Sequence, residues 1–137
     1  MATLHLEIVT PEARAYSDDV EMVVLPAVEG EMGVYPQHIP LITQLKPGEL
    51  VVTKDGKQTA LAIGEGVVEV TGTKVSVLVD MALQESEIDE KAAEEAIARA
   101  EARLKEQFLG DEEAALVQAA IAKSLAQLHV KRRRRGV

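Results

Sequence analysis

The stretch VSVLVDMALQESEIDEKAAEEAIARA, residues 75–100, changes character part-way along. Its first five residues, Val75–Val79, form a β-branched run of strand length. From Ser86 the pattern is helical. Ser86-Glu87-Ile88-Asp89 has the spacing of a capping box, and Ala93, Ile97 and Ala100 recur every three or four residues. The reading predicts a strand-to-helix junction near residue 84. The rest of the chain obeys it. All five prolines (Pro11, Pro26, Pro36, Pro40, Pro47) and seven of the nine glycines precede residue 84.

Upstream of the junction, Leu4, Leu6 and Ile8 alternate with His5 and Glu7, the two-residue period of a half-buried strand. Further strand-like runs are Glu21–Leu25, Ile39–Thr43, Glu49–Thr53, Thr59–Ile63 and Val67–Val70. Asp55-Gly56 is a hairpin signal, because both central residues of its turn take positive φ. Thr71-Gly72-Thr73 is a second turn. Short strands with close turns predict an antiparallel sandwich or flattened barrel over residues 1–84.

Downstream, over residues 85–137, two helices are expected. One stripe is Ala93, Ile97, Ala100, Leu104 and Phe108, and Gly110 interrupts it. Asp111 is placed to cap a second helix with the stripe Ala114, Val117, Ile121, Leu125 and Leu128. The short connection makes them an antiparallel hairpin. Its stripes are narrow and rich in alanine. A large buried aliphatic side chain contributes roughly 1.5–3 kcal/mol, against ordering costs of about 1–2 kcal/mol per residue. The hairpin therefore needs the sandwich or another protein as a bed, and is a candidate for changing position.

Charge is unevenly spread across the 137 residues and net −8. Residues 84–113 hold 11 acids and 4 bases, whereas residues 114–137 hold no acid and 6 bases. The basic end suits an acidic surface. Nucleic acid is not an expected partner, since no aromatic platform or second basic patch supports the tail. With no cysteine there is no thiolate chemistry, and no apolar run approaches the roughly 20 residues that span a bilayer. His5, His38 and His129 lack a serine or aspartate companion at motif spacing, so neither a hydrolase nor a metal or other cofactor is expected. The residues alone suggest an interaction module. One form of it is a free-standing adaptor that binds an acidic partner through the hairpin and tail.

The loop Leu25-Pro26-Ala27-Val28-Glu29-Gly30-Glu31-Met32-Gly33-Val34-Tyr35-Pro36-Gln37-His38-Ile39-Pro40-Leu41 narrows this. Its glycine, proline and histidine spacing strongly resembles the epsilon subunit family of the rotary ATP synthase. Leu4–Pro11 is similar to the family's first strand, and Gly64-Glu65-Gly66-Val67-Val68-Glu69-Val70 to its glycine-glycine-x-x-glutamate-valine strand, with Glu65 at the second glycine. Val75–Asp80 and Ile88-Asp89 continue the likeness, which covers nearly the whole chain.

The resemblance implies a ten-stranded sandwich followed by a two-helix hairpin, in a non-catalytic central-stalk subunit. The sandwich would bind the gamma subunit and the ring of c subunits. The helices would extend along gamma toward the alpha/beta head and block ATP hydrolysis. Glu31 and His38 would face the c ring. Lys123, Lys131 and Arg132, with Arg133, Arg134 and Arg135 behind them, would reach an acidic segment of the beta subunits. The protein would be peripheral, at the cytoplasmic face of the cell membrane and touching the membrane only through the complex. Some family members bind ATP between the helices through isoleucine-aspartate-x-x-arginine-alanine. Here Ala92 replaces that arginine, so no nucleotide site is expected.

Overall fold

The computed structural model describes residues 2–106 and 109–135. Ten strands come first: β1 (Leu4–Val9), β2 (Arg14–Val20), β3 (Met22–Ala27), β4 (Gly30–Val34), β5 (Leu41–Leu45), β6 (Gly48–Lys54), β7 (Lys57–Ile63), β8 (Gly66–Val70), β9 (Lys74–Val79) and β10 (Ala82–Gln84). A single 3₁₀ turn, Glu85–Glu87, leads to helices α1 (Glu90–Glu106) and α2 (Asp111–Arg135). This is the sandwich-then-helices architecture that the sequence predicts.

The strands form one continuous ladder in the order β10-β7-β6-β3-β5-β8-β9-β1-β2, with β4 added to β3. The ladder closes over a single core. Strand β3 makes the corner: Met22–Val24 pair with β6, and Ala27 at its end pairs with Leu45 of β5. All pairings are antiparallel but one, that of β1 with β9. Alternation does the rest. Leu4, Leu6 and Ile8 point inward beside Val75, Val77 and Val79 from β9, and Leu25, Leu50, Leu61 and Ile63 meet them from the other layer, all essentially without exposure. The core is wholly aliphatic but for Tyr16, which packs at its margin.

Both predicted turns are present. Asp55 and Gly56 carry φ of 53° and 75°, the positive pair that joins β6 to β7. Residues 71–73 join β8 to β9, with Val70 opposite Val75. Strands β2 and β4 keep the alternation but bury less, because each lies at an edge of the sheet. In β2 only Val20 is fully buried, while Ser17 and Asp19 are exposed.

The helix start needs correction. Ser86 lies inside the 3₁₀ turn, and α1 is capped instead by Asp89, whose Oδ1 accepts the Ala92 N–H at 3.0 Å. The second stripe also shifts. Val117, Ser124 and Leu128 are buried on α2, while Leu125 is half exposed, at 51%. Phe108, the last member of the α1 stripe, lies outside the described residues.

Candidate functional site

The hairpin rests on the sandwich through α2, which lies across β6 and β7. The seam is small: Ala126 and Val130 of α2 meet Ala62 of β7 and Ile88. Ala60, Met81 and Leu83 border them. Two of its four buried side chains are alanines, so the apolar surface it takes from water is modest.

Charges surround this seam. Lys123 Nζ lies 3.2 Å from Asp80 Oδ2. Lys131 Nζ is 3.4 Å from Glu85 Oε1 and donates to the Glu85 carbonyl at 3.3 Å. Arg132 spans two carboxylates of α1, donating from Nε to Glu90 at 2.9 Å and from an Nη to Glu94 at 2.7 Å. Those two bonds, Glu90 first, push the guanidinium pKa above its already high value. Arg133 pairs with Glu49 of β6. Lys123, Lys131, Arg132 and Arg133 are therefore brought together along one helix, and each is matched to an acid of this same chain. The side chains of Arg134 and Arg135 lie outside the described residues.

A groove runs beside the seam between β6 and α2. Glu49, Leu125, Leu128, His129, Arg132 and Arg133 line one part of it, and Glu31 and Gly48 another.

Glu31 and His38 are not adjacent. Glu31 sits near the start of β4, opposite Pro26, whereas His38 follows the far end of that strand. Four steps of extended chain, roughly 13 Å, separate the two ends of β4. At the His38 end the loop is pinned: Gln37 N–H donates to the Gly72 carbonyl at 2.8 Å, with Gln37 at φ 69°. His38 Nδ1–H donates to the Ile39 carbonyl at 2.7 Å. Tyr35 and Ile39 stand exposed beside it, at 61% and 79%. On the outer face of the sheet, Ile42, Val67 and Leu78 are also exposed, with Val67 and Leu78 directly paired.

His5 does have companions, which linear spacing hid. Strand pairing sets it opposite Asp19. His5 Nδ1 lies 2.9 Å from Asp19 Oδ1, and Ser17 Oγ lies 3.2 Å from His5 Nε2. The order matches a hydrolytic triad. The setting does not, since the His5 and Asp19 side chains are 39% and 70% exposed on the open face of paired strands. We read it as a cross-strand tie for an edge. Among the described residues no group of three His, Cys, Asp or Glu side chains is arranged to hold a metal.

Residues 3–85 match the family model described as ATP synthase, Delta/Epsilon chain, beta-sandwich domain, and residues 86–132 match its long alpha-helix domain. The chain belongs to the ATP synthase delta/epsilon chain family. Within it, the chain is 41% identical to the ATP synthase epsilon chain of Laribacter hongkongensis, over 93% of this chain and 92% of that one. It is also 41% identical to the epsilon chain of Alkalilimnicola ehrlichii, over 98% and 96%. Among solved structures it is similar to a chain of the Euglena gracilis mitochondrial ATP synthase, seen by cryo-electron microscopy with OSCP, F1 and c-ring. There the TM-score is 0.76 and the identity 25%, over 92% of this chain and 79% of that one. A chain of the Tetrahymena thermophila mitochondrial ATP synthase central stalk and c-ring shares the fold, with TM-score 0.64 at 15% identity over 93% and 94%.

The family's glycine-rich strand has a steric basis here. A Cβ on Gly66 would run into the backbone carbonyl of Leu78 on β9. At the position of the family's nucleotide arginine, Ala92 is exposed on α1 and offers no donor beyond its backbone.

Proposed function

We propose that this chain is the non-catalytic epsilon subunit in the central stalk of a rotary, proton-translocating ATP synthase. Residues 1–84 form the part that binds gamma and sits on the c ring, coupling ring rotation to the catalytic head. Residues 85–137 form a regulatory hairpin that swings out to inhibit ATP hydrolysis. Family membership supports the first half. The observation that carries the second is the thin seam under α2, built from Ala62, Ile88, Ala126 and Val130. A helix held by so few methyl groups can leave its bed at small cost.

In this reading the β4 edge, from Glu31 to His38, addresses the c ring, and the exposed row through Val67 and Leu78 is open to gamma. Lys123, Lys131 and Arg132 exchange their present carboxylate partners for the acidic segment of the beta subunits when the hairpin extends. The subunit is peripheral, on the cytoplasmic face of the membrane, and no helix of the described residues is long and apolar enough to cross it.

Truncation after residue 110 tests the inhibitory role. We expect a severalfold rise in ATP hydrolysis by the assembled enzyme; unchanged hydrolysis would remove that role and leave the coupling role standing. Isothermal calorimetry of the isolated chain with ATP should show no micromolar binding, because Ala92 supplies no guanidinium. A micromolar dissociation constant would overturn that expectation.

A further inference from the structure

We propose that the docked hairpin is held by an ionic latch spread along α2, and that Gly64 is the vacancy in which its first pair closes. This rests on the reading of the hairpin as a moving part.

The latch has geometry of its own. Lys123, Gln127 and Lys131 follow one another at four-residue intervals, so they lie along one side of the helix. Each meets a different point of the segment that leaves the sandwich. Lys123 meets Asp80, Gln127 Nε2 donates to Met81 Sδ at 3.1 Å, and Lys131 meets Glu85. Arg132 ties α2 to α1 within the hairpin, because Glu90 and Glu94 are one helical turn apart and a single guanidinium spans both. Arg133 adds β6 through Glu49. Lys123 and Arg133 thus engage acids of the sandwich, Lys131 the turn that joins it to α1, and Arg132 keeps the two helices together as one unit.

Gly64 belongs to this device. Its φ lies outside the left-handed range, so no backbone strain demands glycine there. The demand is for room. A Cβ at position 64 would overlap Asp80 Oδ1 and stand 3.1 Å from Lys123 Cδ. A side chain there would make the Asp80 carboxylate, the end of a flexible side chain, shift from its present place beside Lys123.

Such a latch is strong only as a set. Exposed pairs change an equilibrium by about 1.5- to 5-fold each, and salt screens them. That suits a hold that must give way. A competing acidic surface releases it by offering the same bases new carboxylates, without uncovering a large apolar face.

Spin labels on Thr73→Cys and Gln118→Cys, in a chain with no native cysteine, report the distance between sandwich and α2. The full-length isolated chain is used throughout, and helicity is followed by circular dichroism. Raising KCl from about 50 mM to about 1 M, where the screening length falls to about 3 Å, should raise the undocked population about fivefold or more. At low salt, Glu49→Gln, which removes the acid of β6 paired with Arg133, and separately Gly64→Ala, should each raise it by about 1.5- to 5-fold. Asp80→Lys should undock the hairpin, and adding Lys123→Asp should restore it.

A docked population unmoved by salt and by these variants would overturn the latch, as would a charge swap no better than Asp80→Lys alone. The two readings fail separately. If truncation at residue 110 stimulates hydrolysis while label distances stay fixed, the latch falls and the inhibitory reading stands. If distances shift but truncation changes nothing, the inhibitory reading falls and the latch stands.

Discussion

The interior of the sandwich and the bed of α2 lie on opposite sides of the same two strands. Facing inward, Leu50 and Val52 of β6 and Leu61 and Ile63 of β7 are almost entirely excluded from water. Facing outward toward α2, β7 offers Ala60 and Ala62. A period of two thus sorts large side chains into the core and small ones under the helix. One sheet thus serves as a fixed frame on one face and a releasable platform on the other. Side-chain size sets the first and charge supplements the second.

The comparison is broken most severely from the core side. Leu61→Ala should cost about 2–5 kcal/mol, read by chemical denaturation, because the cavity it leaves is enclosed by packed neighbours. Loss should appear in sandwich and hairpin alike. Val130→Ala, on the other side, removes two methyl groups from the seam and should cost about 1.5 kcal/mol. Hydrogen exchange should then quicken in α2 while core amides of β1 and β9 keep their protection. Equal quickening in both would mean that the two faces form one cooperative unit.

The smallest effect lies at the sandwich edge. Asp18 accepts a hydrogen bond from Lys54, chiefly, and a second from the Asp19 N–H, which hold its carboxyl below its ordinary 3.8. Lys54 is raised above its ordinary 10.5, mainly by the same bond to Asp18. For the acid, the stabilisation is fully present above pH 3.8 and fades as pH falls through the lower folded value. For the base, it is full below pH 10.5 and fades as pH rises through the higher folded value. Asp18→Asn should therefore melt slightly earlier than the native chain near neutral pH. The two should converge in strong acid, with no effect on hairpin position. A gap that persists in acid would show that the pair does not act through charge.

Much of this was readable in the residues because it depends on local rules. Asp55-Gly56 announces its turn, and alternation in Leu4–Ile8 or Val75–Val79 announces strands that are half buried. Strand β2 was not readable. Its sequence RAYSDDV is polar because an edge strand has one neighbour and an open face. Leu125 fits the helical period, yet Ser124 is the buried residue of the two, because the faces that α2 covers are set by its packing and not by its own period. Asp89 rather than Ser86 caps α1, because the 3₁₀ turn delays the helix start by one turn. Lys123, Lys131 and Arg132 were recognisable as a basic set, but their partners lie 38 to 46 residues away in sequence. Only tertiary structure brings such distant pairs together. The same holds for His5, whose tie to Asp19 and Ser17 follows from strand register rather than motif spacing.

The one parallel pairing, His5 to Val9 against Lys74 to Leu78, has a consequence for the order in which the molecule is made. β1 is the first strand synthesised and cannot take its place between β2 and β9 until β9 exists. A chain segment of about seventy residues must close for that contact, the slowest kind of step in a small domain. The β6–β7 hairpin closes over a two-residue turn and needs no distant strand. The surface that will carry α2 can therefore form early, while the frame behind it is sealed late.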